Sequence, residues 1–225
     1  SNFSNNWWVN PNEDVAGISN YSIRDRVTAS FTWQHRFFGN YVTSVSAFYD
    51  GHTGQPYSWV FGNDADGDSY ARDLVYIPRM GDVNFAAGTS AAVIQQFWDF
   101  IASDEYLRTH QGMIAERNRA NSPWVNRLDV SLRQELPGLM AGHKGEIRLD
   151  VYNFLNALNK KWGQEERIGF PFGRTLANYA GVGADGKYIY SLPVVNGQYT
   201  PTALGVYDTN AISRWQVRVT LRYTF

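Results

Sequence analysis

An all-β chain whose strands cross a membrane is predicted by three features of the sequence. First, the closing stretch 214–225 alternates without a break. Trp215, Val217, Val219, Leu221, Tyr223 and Phe225 fall on one face, and Arg214, Gln216, Arg218, Thr220, Arg222 and Thr224 on the other, since strand side chains point to opposite faces in turn. The apolar face carries aromatics near both ends. About 9–11 alternating residues with aromatic girdles is the signature of a tilted strand crossing an outer membrane. Second, 44% of the residues are hydrophobic, yet no run approaches the ~18 consecutive apolar residues of a membrane helix. Third, the alternating stretches are joined by connections that run short, long, short, long, as periplasmic turns and extracellular loops do.

Composition agrees with this and narrows the function. A mean hydropathy of -0.39 is compatible with the membrane, because only every second residue of a barrel strand faces lipid. Aromatics reach 16%, with 8 Trp and 14 Tyr, and such amphipathic rings favour membrane interfaces. A soluble carbohydrate-binding β-sandwich is the alternative for the same composition. The net charge of -1 gives no electrostatic footprint for nucleic acid. The absence of cysteine removes disulfide, thiolate and cysteine–zinc chemistry. No basic segment followed by an apolar one opens the chain at Ser1, so an outer-membrane protein is expected to begin here after processing or within a longer polypeptide.

In chain order, Ser1 to Tyr21 is Asn- and Ser-rich, with Trp7, Trp8 and Pro11, and reads as a loop. A strand over about 26–38 sets Val27, Ala29, Phe31, Trp33, His35 and Phe37 against Arg26, Thr28, Ser30, Thr32, Gln34 and Arg36. His35 is the exception on the apolar face, expected at headgroup level. Gly39-Asn40 makes a tight turn into a strand over about 41–50, with Val45, Ala47 and Tyr49 outward and Ser44 and Ser46 inward. A long excursion over about 51–125 follows, in which Thr89 or Ser90 caps a helix bearing Val93, Ile94, Phe97 and Ile101, and Gly112 ends a second short turn. A strand over about 126–136 places Leu128, Val130 and Leu132 outward. The turn from Pro137 to Gly145 leads to a strand over about 146–154, with Ile147, Leu149 and Val151 outward. A second excursion, 155–213, rich in Gly, Asn and Tyr, precedes the closing strand. With the opening segment 1–25, the excursions are the expected extracellular loops. Five strands do not close a barrel, whose single-chain bacterial forms start at eight, and open edges in lipid leave backbone groups unsatisfied at several kcal/mol each. The chain is therefore expected to be the C-terminal part of a larger barrel.

Gly54-Gln-Pro-Tyr-Ser-Trp-Val-Phe61, Asn63-Asp-Ala-Asp-Gly-Asp-Ser69 and Asp73-Leu-Val-Tyr-Ile-Pro78 resemble the long-loop signature of the Oar-like branch of the TonB-dependent outer-membrane transporters. Glu116-Arg-Asn-Arg-Ala-Asn-Ser-Pro-Trp-Val-Asn-Arg-Leu-Asp129 is similar to the family's return into the barrel. Leu149-Asp-Val-Tyr-Asn-Phe-Leu-Asn156, followed by Asn159-Lys-Lys-Trp-Gly163, resembles its penultimate strand and next loop. Val219, Leu221, Tyr223 and the terminal Phe225 resemble the signal read by the barrel-assembly machinery. The resemblance, from about Arg26 to Phe225, implies a 22-stranded barrel with a plug and a TonB box, moving an extracellular ligand, with a peptide or protein as the candidate class, across the outer membrane of a Gram-negative bacterium with energy delivered through TonB. The plug, the TonB box and about seventeen strands, counted against a 22-stranded transporter, are missing from this chain. Its implied partners are therefore the N-terminal remainder of the barrel with its plug, the TonB complex acting through that plug, the assembly machinery and outer-membrane lipid.

Three residue groups carry candidate chemistry, each with two readings. Asp64, Asp66, Asp68 and Asp73 around Gly67 place oxygens at alternate positions, which suits Ca²⁺; the spacing is not that of an EF-hand, and a solvated turn closed by Asp–backbone bonds is the other reading. No other cofactor is expected. Arg127, Asp129, Arg133, Glu146, Arg148, Asp150, Arg214, Arg218 and Arg222 face inward, either gripping a plug or forming a cross-strand charge ladder. Trp7, Trp8, Tyr57, Trp59 and Phe61, with Trp98 and Phe100, either hold a ligand or pack the loops together. A structural or adhesive barrel is the functional alternative to a transporter. No catalytic group is expected: the four histidines have no zinc spacing, and no Gly-x-Ser-x-Gly elbow is present.

Overall fold

The computed structural model describes residues 6–10, 12 and 15–225. The loop expected over the first residues therefore lies partly outside the described residues, at positions 1–5, 11, 13 and 14. The chain is β-rich, 44% strand and 12% helix, which places it in the all-β class. It opens with β1 (Arg26–Phe38) and β2 (Tyr41–His52). The first excursion carries β3 (Pro56–Phe61), β4 (Tyr76–Ile77), β5 (Asn84–Phe85), α1 (Ala91–Ser103), α2 (Glu105–Thr109), β6 (Met113–Ile114) and β7 (Ala120–Asn121). Then come β8 (Val125–Pro137), β9 (Lys144–Tyr152) and α3 (Phe154–Leu158). The second excursion carries β10 (Glu166–Arg167), β11 (Gly173–Val182), β12 (Tyr188–Ser191), β13 (Val194–Val195), β14 (Gln198–Tyr199) and β15 (Gly205–Val206), and the last strand is β16 (Gln216–Thr224).

Contacts divide the chain into two units. The sheet unit comprises residues 23–54, 123–166 and 206–225, and holds the antiparallel sheet β1-β2-β8-β9-β16. All five expected strands are present, with ends moved by one or two residues. The fourth ends at Tyr152, because Asn153 adopts left-handed φ 52° and opens α3. Register carries the alternation across the whole sheet. Phe31, Ala47, Val130, Val151 and Val217 stand in one row, and Trp33, Val45, Leu132, Leu149 and Val219 in the next apolar row. Between them run Thr32, Ser46, Ser131, Asp150 and Arg218 on the opposite face.

The polar face is laced with ion pairs. Asp150 is buried and lies 2.7 Å from Arg148 and 3.1 Å from Arg218. Arg133 lies 3.5 Å from Glu135 and 3.7 Å from Glu146. The apolar face is uncovered within this unit: Phe31 is 60% exposed, Val219 59% and Leu221 76%. Every residue of the edge strands β1 and β16 is exposed. The short turns at Gly39-Asn40 and 138–143 share one end of the sheet, and both excursions leave from the other.

The excursions are more than loops with a short helix. Residues 6–22, 55–122 and 167–205 form a unit with its own core. Here a second sheet, ordered β5-β12-β11-β3-β7, includes the parallel pairs β11–β3 and β12–β5. Strand β3, flanked by β11 and β7, is buried at every position, so it shows none of the half-exposed alternation that marks a strand with one wet face. Helix α1 follows the expected pattern: the Ser90 hydroxyl accepts from Val93 N, and Val93, Phe97 and Ile101 are buried.

Candidate functional site

The insert unit contains a cavity of about 610 Å³, within the ~300–1,000 Å³ typical of small-ligand pockets. Its walls come from three stretches distant in sequence: Trp7, Trp8, Val9 and 15–18 from the first, Leu74 from the second, and Ile114 to Arg117 with Arg119 from the third. The backbone fixes the first stretch against the second, with Trp8 N donating to Arg72 O at 2.9 Å and Leu74 N donating to Trp8 O at 2.9 Å. The Trp7 indole N–H donates to Pro171 O at 2.9 Å, and the Arg72 guanidinium lies 5.1 Å above its ring. Gly173 permits that seat, because a Cβ there would collide with the indole.

A polar clamp holds the other side. Asn118 is buried, and its side-chain amide donates to Ile18 O at 2.7 Å and Asn20 Oδ1 at 2.6 Å. Its backbone N–H donates to Ser58 Oγ at 2.9 Å. On the rim, Glu116 and Arg119 pair at 2.7 Å. The Arg117 guanidinium lies 5.0 Å over the Trp8 ring and packs against Gly17.

Of the aromatic candidates, Trp7 and Trp8 line this cavity, whereas Tyr57, Trp59 and Phe61 belong to the core. Trp59 is 0% exposed and meets Phe100 edge-on at 5.7 Å, with the Arg174 guanidinium 4.5 Å over its ring. That guanidinium also donates to Thr202 O at 2.8 Å and Tyr57 Oη at 3.1 Å. These contacts make the three rings packing elements, and burial raises the Tyr57 hydroxyl pKa above its ordinary value. Val219, Leu221, Tyr223 and Phe225 lie exposed at the end of the sheet unit.

The acidic turn brings together Asp64, Asp66 and Asp73, whose carboxylate oxygens lie within 4.8 Å of one another. Asp68 is outside that trio and accepts from Tyr70 N at 2.7 Å. Backbone donors already serve the trio: Gly67 and Ser69 N–H groups reach Asp64 at 2.7 and 2.8 Å, Asp68 N reaches Asp66 at 3.0 Å, and Ala65 N reaches Asp73 at 2.6 Å. The Gly67 bond, foremost, holds Asp64 below the usual carboxylate range. Burial, reinforced by repulsion from Asp66, Asp64 and Asp68, pushes Asp73 up to about 6. Three carboxylates suit a hard cation in kind, but Ca²⁺ takes about six to eight oxygens, so backbone carbonyls or water would have to complete the shell.

The histidines are accounted for by local contacts. His35 stacks on Trp33 and meets Phe37 edge-on, His110 stacks on Tyr106, His143 meets Tyr223 Oη at 2.8 Å, and His52 meets Thr53 O at 3.0 Å. Asp104 serves as the N-cap of α2, accepting from Leu107 N at 3.0 Å. Sequence reasoning did not find the cavity, since Val15, Ile18, Leu74, Ile114 and Arg117 share no motif or period. No family model, curated protein or solved structure matches the chain.

Proposed function

We propose that this chain is the C-terminal part of the barrel of a TonB-dependent outer-membrane transporter, supplying five membrane-crossing strands and a folded extracellular insert that meets the incoming ligand. The observation that carries this reading is the sheet β1-β2-β8-β9-β16, with a continuous apolar face left uncovered within its unit and edge strands that run in the same direction. Tyr41 and Tyr49 on β2, and Trp215 and Tyr223 about β16, bracket the apolar rows. Each pair spans about nine residues, the length of a tilted strand crossing a bilayer.

Strand direction supports a larger barrel. Four antiparallel steps make β1 and β16 parallel to each other, so joining those edges directly would create a parallel pair. An all-antiparallel barrel closes only if an odd number of further strands lies between them, which gives the even total of such barrels. Copies related by rotation about the membrane normal would meet with the same parallel mismatch. In this reading the polar face, with its Asp150–Arg148–Arg218 cluster, looks into the barrel toward the plug.

The test is to purify the protein from native outer membranes, resolve it on a denaturing gel, measure intact masses and sequence each band from its N-terminus. The expected result is this chain joined to, or co-purifying with, a plug, a TonB box and the remaining strands. A barrel lacking plug and TonB box would favour the structural or adhesive reading. A folded, monodisperse 25.6 kDa species alone would overturn the barrel reading and favour a soluble β-protein.

A further inference from the structure

We infer that the cavity beneath Trp8 binds the carboxylate end of a small apolar ligand, with Arg117 as the group that recognises the charge. Its lining is dominated by apolar side chains, among them Val15, Ile18, Leu74 and Ile114. Such walls favour an aliphatic or aromatic body of modest size. Charge selects the other end. Of the three charged residues on the rim among the described residues, Glu116 and Arg119 neutralise each other at 2.7 Å. Arg117 has no carboxylate partner among the described residues. Its guanidinium is half-buried against the Trp8 ring at 5.0 Å and bounded on another side by Gly17.

That arrangement fixes the plane of the guanidinium: Trp8 takes its face and Gly17 lies along its Nε–Nη2 edge, which leaves the Nη1–Nη2 edge for a ligand. A planar fork with one edge of N–H donors unbonded among the described residues, beside an apolar wall, matches a carboxylate, which it can hold through two parallel bonds. A cationic ligand would meet repulsion, and a neutral one would forfeit the charge-assisted bonds. The carboxylate can belong to a free small acid or to the C-terminus of a peptide. All named lining residues lie in the insert unit, so the site does not depend on the membrane reading, and a soluble binding module would present it equally.

The experiment is calorimetric titration of the purified full-length protein with N-acetylphenylalanine, its neutral amide N-acetylphenylalaninamide, and a tripeptide ending in a free phenylalanine carboxylate. The expected result is saturable binding of the carboxylates and about tenfold weaker binding of the amide, the scale of one charge-assisted pair. Arg117→Gln should remove that preference while leaving amide binding within about twofold, and Leu74→Trp, which fills the cavity from its wall, should abolish binding of all three. Tighter binding of the tripeptide than of the single residue identifies a peptide C-terminus as the source; equal binding identifies a free acid. Absence of saturable carboxylate binding, equal affinity for acid and amide, or an Arg117→Gln variant that retains the preference would each overturn the proposal. None of these outcomes alters the barrel test, which reads strand content and polypeptide composition.

Discussion

In the sheet unit, Phe31, Val219 and Leu221 are largely exposed; in the insert unit, Trp59, Phe97 and Ile101 are wholly buried. One polypeptide thus treats its large apolar side chains in two opposite ways. The insert unit follows the rule for water: apolar side chains gather into one core, and hydroxyls caught inside find acceptors, as Tyr190 does with Tyr76 O at 2.5 Å and Tyr199 with Leu176 O at 2.8 Å. The sheet unit inverts that rule on one face. Its charges pair on the other face, around Asp150 and Arg133. Such an inversion is stable where the surrounding solvent is itself apolar. In water, a continuous apolar face with two open edges would be an aggregation surface.

The sharpest way to separate the two regions is to damage each by its own rule. Trp59→Ala should destabilise the insert unit by about 3–5 kcal/mol, the cost of emptying a large aromatic site in a core. Limited proteolysis should then cut within 55–122 and 167–205 while, on the proposed barrel reading, the sheet strands stay protected in the membrane. Simultaneous loss of the sheet strands would mean that the two units fold as one. Val219→Arg should act on the other unit, costing about 2–4 kcal/mol for a charge near the bilayer midplane, and should lower the amount of protein assembled in outer membranes. Thr220→Arg, one residue along on the polar face, should be tolerated far better. Equal membrane levels of the two variants would sink the facing assignment.

A smaller effect belongs to the insert unit alone. In the fold Asp73 keeps its proton up to about pH 6, against an ordinary 3.8, so between these values the folded state binds the proton more tightly than the unfolded chain. Stability of the insert unit should therefore fall as pH rises from about 4 to about 6, then level off. The amplitude should be about 1–3 kcal/mol, the upper figure being the full rise from 3.8 to about 6 on a buried carboxyl. Asp73→Asn should flatten that slope and stabilise the unit at pH 7, as followed by hydrogen exchange. If the turn instead holds Ca²⁺, Asp73→Asn should weaken the unit whenever the ion is present, since one of three carboxylate ligands is lost.

The two regions also differed in how far they could be read from sequence. The five sheet strands were legible because alternation is a local signal, present within each stretch of about ten residues. Helix α1 was legible for the same reason, through Ser90 as cap and the Val93, Phe97 and Ile101 stripe. The second sheet was not. Its strands are short, β3 is buried along its whole length, and β3 pairs with β11 across most of the chain. Tyr57, Trp59 and Phe61 read equally as ligand contacts or as loop packing, because nothing local announces the core around them. The cavity was illegible for a related reason: Trp8, Leu74 and Arg117 become neighbours only after the backbone at Trp8 pairs with that at Arg72 and Leu74.

The most direct test uses the absence of native cysteine. Single cysteines placed one at a time from Val217 to Arg222 would each carry a nitroxide label, in protein reconstituted into lipid vesicles. Accessibility to oxygen, which concentrates in lipid, and to a water-soluble nickel chelate would be read at each site. The account predicts a period of two: labels at Val217, Val219 and Leu221 favour oxygen, and labels at Arg218, Thr220 and Arg222 do not. Uniform access to the nickel chelate at all six positions would contradict a lipid-facing sheet.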